Sequence, residues 1–194
     1  MTISLLLASS SPYRRELLAR LGLPFLTASP EVDEAPQAGE RATALVERLA
    51  RLKAQTLASR FPDSLIIGSD QAATVGGASV GKPATRAAAV AQLQAASGQL
   101  AVFQTGVCVL DARSGRVASA VVPTLVHFRQ LSTALIERYL AQESALDCAG
   151  SFKSESLGIA LCQRISSEDP TALVGLPLIA LVSLLHEFGV AVPG

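Results

Sequence analysis

Histidine and cysteine are scarce in this chain, with two of the first and three of the second. Cys108, Cys148 and Cys162 are odd in number and widely spaced, which gives no disulfide framework and no zinc-ligand pattern. They are expected to be buried free thiols in a reducing compartment. His127 falls in an alternating apolar pattern and His186 near the end of a helical one. Neither suggests a Ser/His/Asp set, and both are expected to be structural. An excess of charge of either sign is also missing, since Lys plus Arg and Asp plus Glu are 16 each. Without a basic field, general binding to a nucleic-acid polymer or an anionic membrane is not expected. Long apolar runs are absent too. The stretch from Leu173 to Leu185 is short and contains Gly175 and Pro177, so it cannot span a bilayer. At the start, Arg14 and Arg15 follow the apolar run instead of preceding it, unlike a signal peptide. A cytoplasmic protein is expected.

What the chain does contain is apolar material, 49% of its 194 residues, against 16% charged. That suffices for a core in one domain or two small lobes. The pattern predicts a strand over 3–8, broken by Ser9-Ser10-Ser11-Pro12, and a helix with Leu17, Leu18 and Leu21 on one face and Gly22 beyond its end. A second strand over 24–28 and an acidic loop with Glu31, Asp33 and Glu34 come next. The helix over 41–60 carries Leu45, Val46, Leu49 and Leu57 as its stripe. A buried strand, Leu65 to Gly68, is expected to end at Ser69 and Asp70, and a hairpin over 72–80 to fold at Gly76-Gly77. Further on come a helix over 85–96, strands over 101–110 and to about 129, a helix capped by Ser132, a short strand over 161–165, and a last helix starting near Pro177. Helices and strands alternate early and hairpins come in the middle, which predicts α/β with a mixed sheet.

Five segments carry polar groups that could do chemistry. Ser9 to Arg15 joins a strand to a helix, where free N–H groups and an arginine fork suit an anion; capped helix and solvated arginines is the plainer reading. Lys53 lies four residues after Leu49 and seven after Val46, on or beside the apolar stripe, so it either snorkels to the rim or points into a polar cleft. Asp70 closes an apolar strand, where α/β sheets place ligands, although turn-capping aspartates are common. Gly76 to Lys82 matches the first part of a P-loop, but Pro83 brings neither the magnesium-binding hydroxyl nor the N–H of a phosphate-cradling helix start, so that match is set aside. Cys148 to Glu155 is polar and contains glycine, without a spacing that specifies a ligand.

Together and in order, these pieces resemble the Maf family of nucleotide pyrophosphatases over almost the whole chain. The resemblance rests on L-A-S-S-S-P-Y-R-R-E-L-L from Leu7, V-D-E at Val32, K-A at Lys53, I-G-S-D-Q from Ile67, G-K-P at Gly81, S-G at Ser97, V-H-F-R at Val126, C-A-G-S-F-K-S-E from Cys148 and V-G-L-P-L from Val174. It implies one domain over residues 1–194, an elongated α/β fold similar to the inosine triphosphate pyrophosphatases, and two lobes around a cleft. It also implies a nucleotide substrate, a divalent cation such as Mg²⁺ or Mn²⁺, a cytoplasmic location and often a homodimer. By position, Asp70 matches the catalytic aspartate. Ser10, Arg14, Lys53 and Lys82 match phosphate-binding positions, and Asp70 with Glu34 the metal-holding ones.

One branch of the family has G-A-D-T and Y-G-I-Q and acts on dTTP and UTP. Here Gln71 follows Asp70, Glu155 closes the later loop, and Tyr13 replaces an arginine, which resembles the branch acting on 7-methyl-GTP. Ser156-Leu157 departs from the Gly-Phe expected there. Tyr13 could stack on the cationic 7-methylguanine, and the Glu155 carboxylate could accept from the guanine N1–H and amino group. The resemblance implies removal of modified nucleotides from the pool. The alternatives are a dTTP/UTP pyrophosphatase on the same fold, and a nucleotide-binding regulator of septum formation.

Overall fold

A computed structural model describes residues 4–193. Twelve regular elements follow in order. They are β1 (Ser4–Ala8), α1 (Pro12–Ala19), β2 (Phe25–Ala28), α2 (Ala42–Ala58), β3 (Ser64–Val75), β4 (Ala78–Val80), α3 (Arg86–Ala96), β5 (Leu100–Asp111), β6 (Val117–Phe128), α4 (Thr133–Gln142), β7 (Cys162–Ser167) and α5 (Leu178–Glu187). Three short 3₁₀ turns lie at Ala149–Ser151, Leu157–Leu161 and Ala172–Val174. The seven strands form one sheet in the order β2-β1-β3-β5-β6-β7, with β4 on β3. Because β1 pairs parallel with β2 and β3, while the β3–β4 and β6–β7 pairs are antiparallel, the sheet is mixed, as the sequence implies.

The chain divides into two compact units: the first comprises 1–71, 105–122 and 169–194, and the second 72–104 and 123–168. In the first, strand alternation builds a core on each face of the sheet. Leu5, Leu7, Leu65, Ile67, Val107 and Val109 pack with Leu17 and Leu18 of α1 and Leu181 and Leu185 of α5. Leu6, Ile66, Cys108 and Leu110 pack on the opposite face with Ala50, Ala54 and Leu57 of α2. Two glycines let α2 approach that face closely. A Cβ on Gly68 would lie 2.0 Å from the Ala50 carbonyl oxygen, and one on Gly106 would lie 2.5 Å from that of Val46. The helix backbone therefore rests on the strand backbone, leaving no room for a side chain.

In the second unit, three rings form the aromatic core. Phe152 meets Phe128 edge-on at 5.2 Å and Phe103 at 6.0 Å. The hairpin turns at Gly76 and Gly77, whose φ values of 56° and 86° only glycine adopts without strain. Residues 76–82 are thus turn, strand and loop. No helix follows Lys82 directly, so the P-loop spacing is coincidental.

One expectation is corrected. The strand carrying Asp70 does not end there; β3 runs without a break from Ser64 to Val75. What ends is its neighbour, since the parallel pairing with β1 stops at Ala8 opposite Gly68. Asp70 thus lies just past the carboxyl end of β1, where a parallel sheet opens a place for ligands, although its own strand continues.

Candidate active site

The first unit gathers four of the expected residues. Lys53 lies on the strand-facing side of α2 among Leu49, Ala50 and Leu57, and is buried with them. Its Nζ is 2.6 Å from Asp70 Oδ1 and 2.6 Å from Glu34 Oε1. The two readings of Lys53 resolve as an ion pair: its stem follows the apolar stripe, and its ammonium bridges two carboxylates. Asp70 is also buried, whereas the Glu34 side chain, within the loop between β2 and α2, is 60% exposed. Burying the Lys53–Asp70 pair costs solvation of both charges, which their mutual attraction offsets only while both partners stay.

Arg14 adds a second cation. Ser11 caps α1 by accepting from the Arg14 N–H at 3.4 Å, with Pro12 in the first turn. The half-buried guanidinium donates from Nε to the Gly175 carbonyl at 2.8 Å. Burial lowers the Arg14 pKa, and the negative Asp70 and Glu34 oppose that shift. A guanidinium keeps its proton at working pH. Lys53 thus bridges the two carboxylates, and Arg14, tied to the Gly175 carbonyl, is near enough to feel their charge.

The same Gly175 carbonyl accepts from Ser69 Oγ at 2.9 Å, and the fully buried Ser69 also lies 2.8 Å from the Gly106 carbonyl. Gln71 Nε2 lies 3.0 Å from Thr105 Oγ1 and from the carbonyls of Ala172 and Leu173, and Thr105 Oγ1 donates to Ala172 at 2.8 Å. The side chains flanking Asp70 thus hold the 172–175 turn, which in turn holds Arg14. Asp169 fixes the far side of that turn, accepting from the N–H of Ile179 at 2.7 Å and of Thr171 at 3.0 Å. Sequence reasoning missed Ser69, Thr105 and Asp169. Asp169 stands ten residues before the Ile179 N–H it caps, so no local capping spacing marks it. Ser10 is exposed just before α1, and Tyr13 is half-buried in the helix's first turn.

Lys82 and Glu155 belong to the second unit, both exposed on loops. Their loops are fixed to each other. The Gly81 carbonyl accepts from the Gly150 N–H at 3.2 Å and from Gln92 Nε2 at 3.0 Å, while Ser151 Oγ donates to Gln92 Oε1 at 2.7 Å. Ser151 is fully buried with φ of 57°, and Ala84, two residues after Lys82, has φ of 59°. Such left-handed non-glycine residues persist only where surrounding bonds hold them.

Cys108 and Cys162 are buried as expected, but Cys148 is half-buried. Burial raises all three thiols, Cys108 and Cys162 to about 11 and Cys148 to about 12. They are poor nucleophiles, since the thiolate is the reactive form. Among the described residues, no three His, Cys, Asp or Glu side chains gather into a cation-binding group, and no helix is long and apolar enough to cross a membrane.

Residues 4–188 match the family model described as Maf-like protein. The chain belongs to the Maf family. Among similar Maf proteins is one from Pseudomonas aeruginosa named 7-methyl-GTP pyrophosphatase, 54% identical and aligned over 97% of this chain and 98% of its own length. A Cupriavidus metallidurans protein of the same name is 50% identical over 96% of this chain and 94% of itself. A third, from Pseudomonas syringae pv. tomato, is 54% identical over 98% of this chain and 99% of itself. Among solved structures, a nucleoside-triphosphatase, dITP/XTP pyrophosphatase, from Mycobacterium abscessus is similar with a TM-score of 0.41 and 18% identity, covering 66% of this chain and 74% of that one. That likeness is too weak to carry an argument.

Proposed function

We propose that this Maf protein hydrolyses 7-methyl-GTP to 7-methyl-GMP and pyrophosphate in the cytoplasm, as a homodimer, and so clears a modified nucleotide from the pool. The observation that carries the chemistry is Lys53 held at 2.6 Å by both Asp70 and Glu34, with Arg14 beside them. The substrate branch is supported by the names of the near-full-length relatives, with Gln71 after Asp70 and Glu155 in the later loop.

In this reading, Arg14, Lys53 and Lys82 neutralise the triphosphate, and Ser10 with the N–H groups at the start of α1 adds donors. Asp70 orients a water towards the α-phosphorus and takes its proton as the new P–O bond forms. The bond from the α-phosphorus to the bridging oxygen breaks, and that oxygen leaves with pyrophosphate. Because little covalent work falls to the protein, most of the acceleration comes from placement and charge. Lys53 is suited to both jobs: it holds Asp70 in one rotamer and brings a cation to the leaving phosphates.

Asp70 and Glu34 also fit a divalent cation. Their hard oxygen donors converge on one positive centre, and Mg²⁺ is ordinarily held by one or two carboxylates plus substrate phosphates. When bound, Mg²⁺ or Mn²⁺ would supply charge neutralisation of the phosphates and acidify a bound water. Tyr13 stacks on the cationic base and Glu155 accepts from its N1–H and amino group, with Gln71 supporting the turn behind Asp70.

The test is pyrophosphate release from 7-methyl-GTP, GTP, UTP and dTTP, with and without Mg²⁺ or Mn²⁺. The highest kcat/KM is expected on 7-methyl-GTP. Preference for UTP or dTTP would overturn the branch assignment, and tight nucleotide binding without turnover would favour a regulatory protein.

A further inference from the structure

Glu34 reaches Lys53 from a segment without regular structure, residues 29–41. An exposed glutamate on such a loop would ordinarily sample many rotamers, and holding it still costs entropy. Something must fix the backbone that carries it.

Arg48 of α2 lies on that backbone. Its Nε donates to Glu40 Oε1 at 2.6 Å and its Nη2 to Glu40 Oε2 at 2.7 Å. The same Nη2 donates to the Ala35 carbonyl at 3.1 Å. Glu40 Oε2 also accepts from the Gln37 N–H at 2.9 Å, and Asp33 Oδ1 accepts from the Ala35 N–H at 2.9 Å. Both backbone groups of Ala35, the residue after Glu34, are thereby engaged. The Glu40 side chain is only 8% exposed, so water competes little for the fork. The hydrogen bond from Arg48, then that from Gln37, holds the Glu40 carboxyl down at about 2. Both charges of the strap therefore persist at any working pH.

We propose that Arg48 is a positioning residue for the active site, acting through Glu40 and Ala35 to deliver Glu34 to Lys53. Arg48 and Lys53 stand five residues apart on one helix, so α2 carries both the ammonium and the fixing of its second carboxylate. Only a planar fork serves, because two carboxylate oxygens and a carbonyl are engaged at once; a lysine presents a single point of charge. The proposal rests on the role given to Glu34 above.

The test is a double-mutant cycle on kcat for 7-methyl-GTP with wild type, Arg48→Ala, Glu34→Gln and the pair, with denaturant unfolding of each as a control. Arg48→Ala is expected to lower kcat about tenfold, the scale seen when a support behind a site residue is removed. KM should change far less than kcat. Arg48→Lys should not restore turnover, and Glu40→Gln should reproduce the loss. In the Glu34→Gln background, Arg48→Ala should cost no more than about twofold further, because the two act in series. Wild-type kcat in Arg48→Ala, or losses that multiply in the pair, would overturn the proposal. If Arg48→Ala does not fold, Arg48→Gln, which keeps the stem and one donor, is read in the same cycle. Glu34→Gln with full turnover would overturn the role of Glu34 and this proposal with it. A wild-type protein that releases no pyrophosphate would overturn the activity before any variant is compared.

Discussion

The two units fix their polar residues in different ways. In the first, the side chains themselves are pinned: Lys53 by two carboxylates, Arg14 by the Gly175 carbonyl, Gln71 by the 172–175 turn. In the second, the backbone around Lys82 and Glu155 is pinned, in part through the buried Ser151 hydroxyl, and those two side chains are not buried. Gly81 and Gly150 are bonded to each other and Lys153 N–H donates to the Tyr139 hydroxyl at 3.2 Å, yet Lys82 and Glu155 stand exposed. The lesson concerns when ordering is paid for. Groups of the first kind are set before substrate arrives, which suits bond-breaking geometry. In the proposed reading, an exposed side chain such as Glu155 would lose rotamer freedom only on binding, which suits it to discrimination between ligands.

The sharpest way to break this contrast is at Asp70. Asp70→Asn keeps the shape and removes the charge and the base, so kcat should fall by about 100-fold or more while the protein still folds. Near-normal pyrophosphate release would remove Asp70 from the chemistry and the first unit from its preset role.

A smaller effect separates the two units by stability. Gly68→Ala would force a Cβ against the Ala50 carbonyl, and should destabilise by about 1–3 kcal/mol in denaturant unfolding, as overpacking does. Gly76→Ala meets no atom within 4 Å, so only its φ of 56° resists. Its cost should be at the lower end, about 1 kcal/mol. Equal costs at both sites would mean that α2 is not seated as tightly on β3 as the distances require.

The smallest effects concern selectivity. Glu155→Gln should lower kcat/KM for 7-methyl-GTP about tenfold relative to UTP, the scale of one unpaired donor in the complex. Tyr13→Ala should narrow the preference for 7-methyl-GTP over GTP by severalfold, because only the methylated base is cationic and the contact is worth about 1 kcal/mol. Uniform losses on 7-methyl-GTP, GTP and UTP would assign both residues to shape instead of recognition.

Much of the first unit was legible in the sequence because it follows periodicity. The stripe of α2 and the apolar runs of β1 and the first half of β3 appear where the pattern puts them, and Lys53 was visible as a charge in an apolar row. The continuation of β3 through Asp70 was not. Gly68, Ser69 and Asp70 are turn-favouring residues, and only the sheet into which β3 is built overrides that preference. The partners of Lys53 were equally hidden. Glu34 lies nineteen residues upstream in a loop, and the Arg48–Glu40 strap crosses eight residues without any repeating pattern. Periodicity reports which face of an element is buried; it says nothing about where a loop ends up.

The bare contact of α2 with the sheet bears on how this protein can change over generations. Cores drift by exchanging one aliphatic residue for another, and each exchange ordinarily alters the distance between a helix and its strand. Here that distance is set by main-chain atoms at Gly68 and Gly106, which every sequence retaining those glycines possesses. Exchanges among the leucines and valines elsewhere in the unit should therefore alter the gap across which Lys53 meets Asp70 less than a Cβ at either glycine would. Tolerance of the surroundings and intolerance at two glycines are the same property seen from opposite sides.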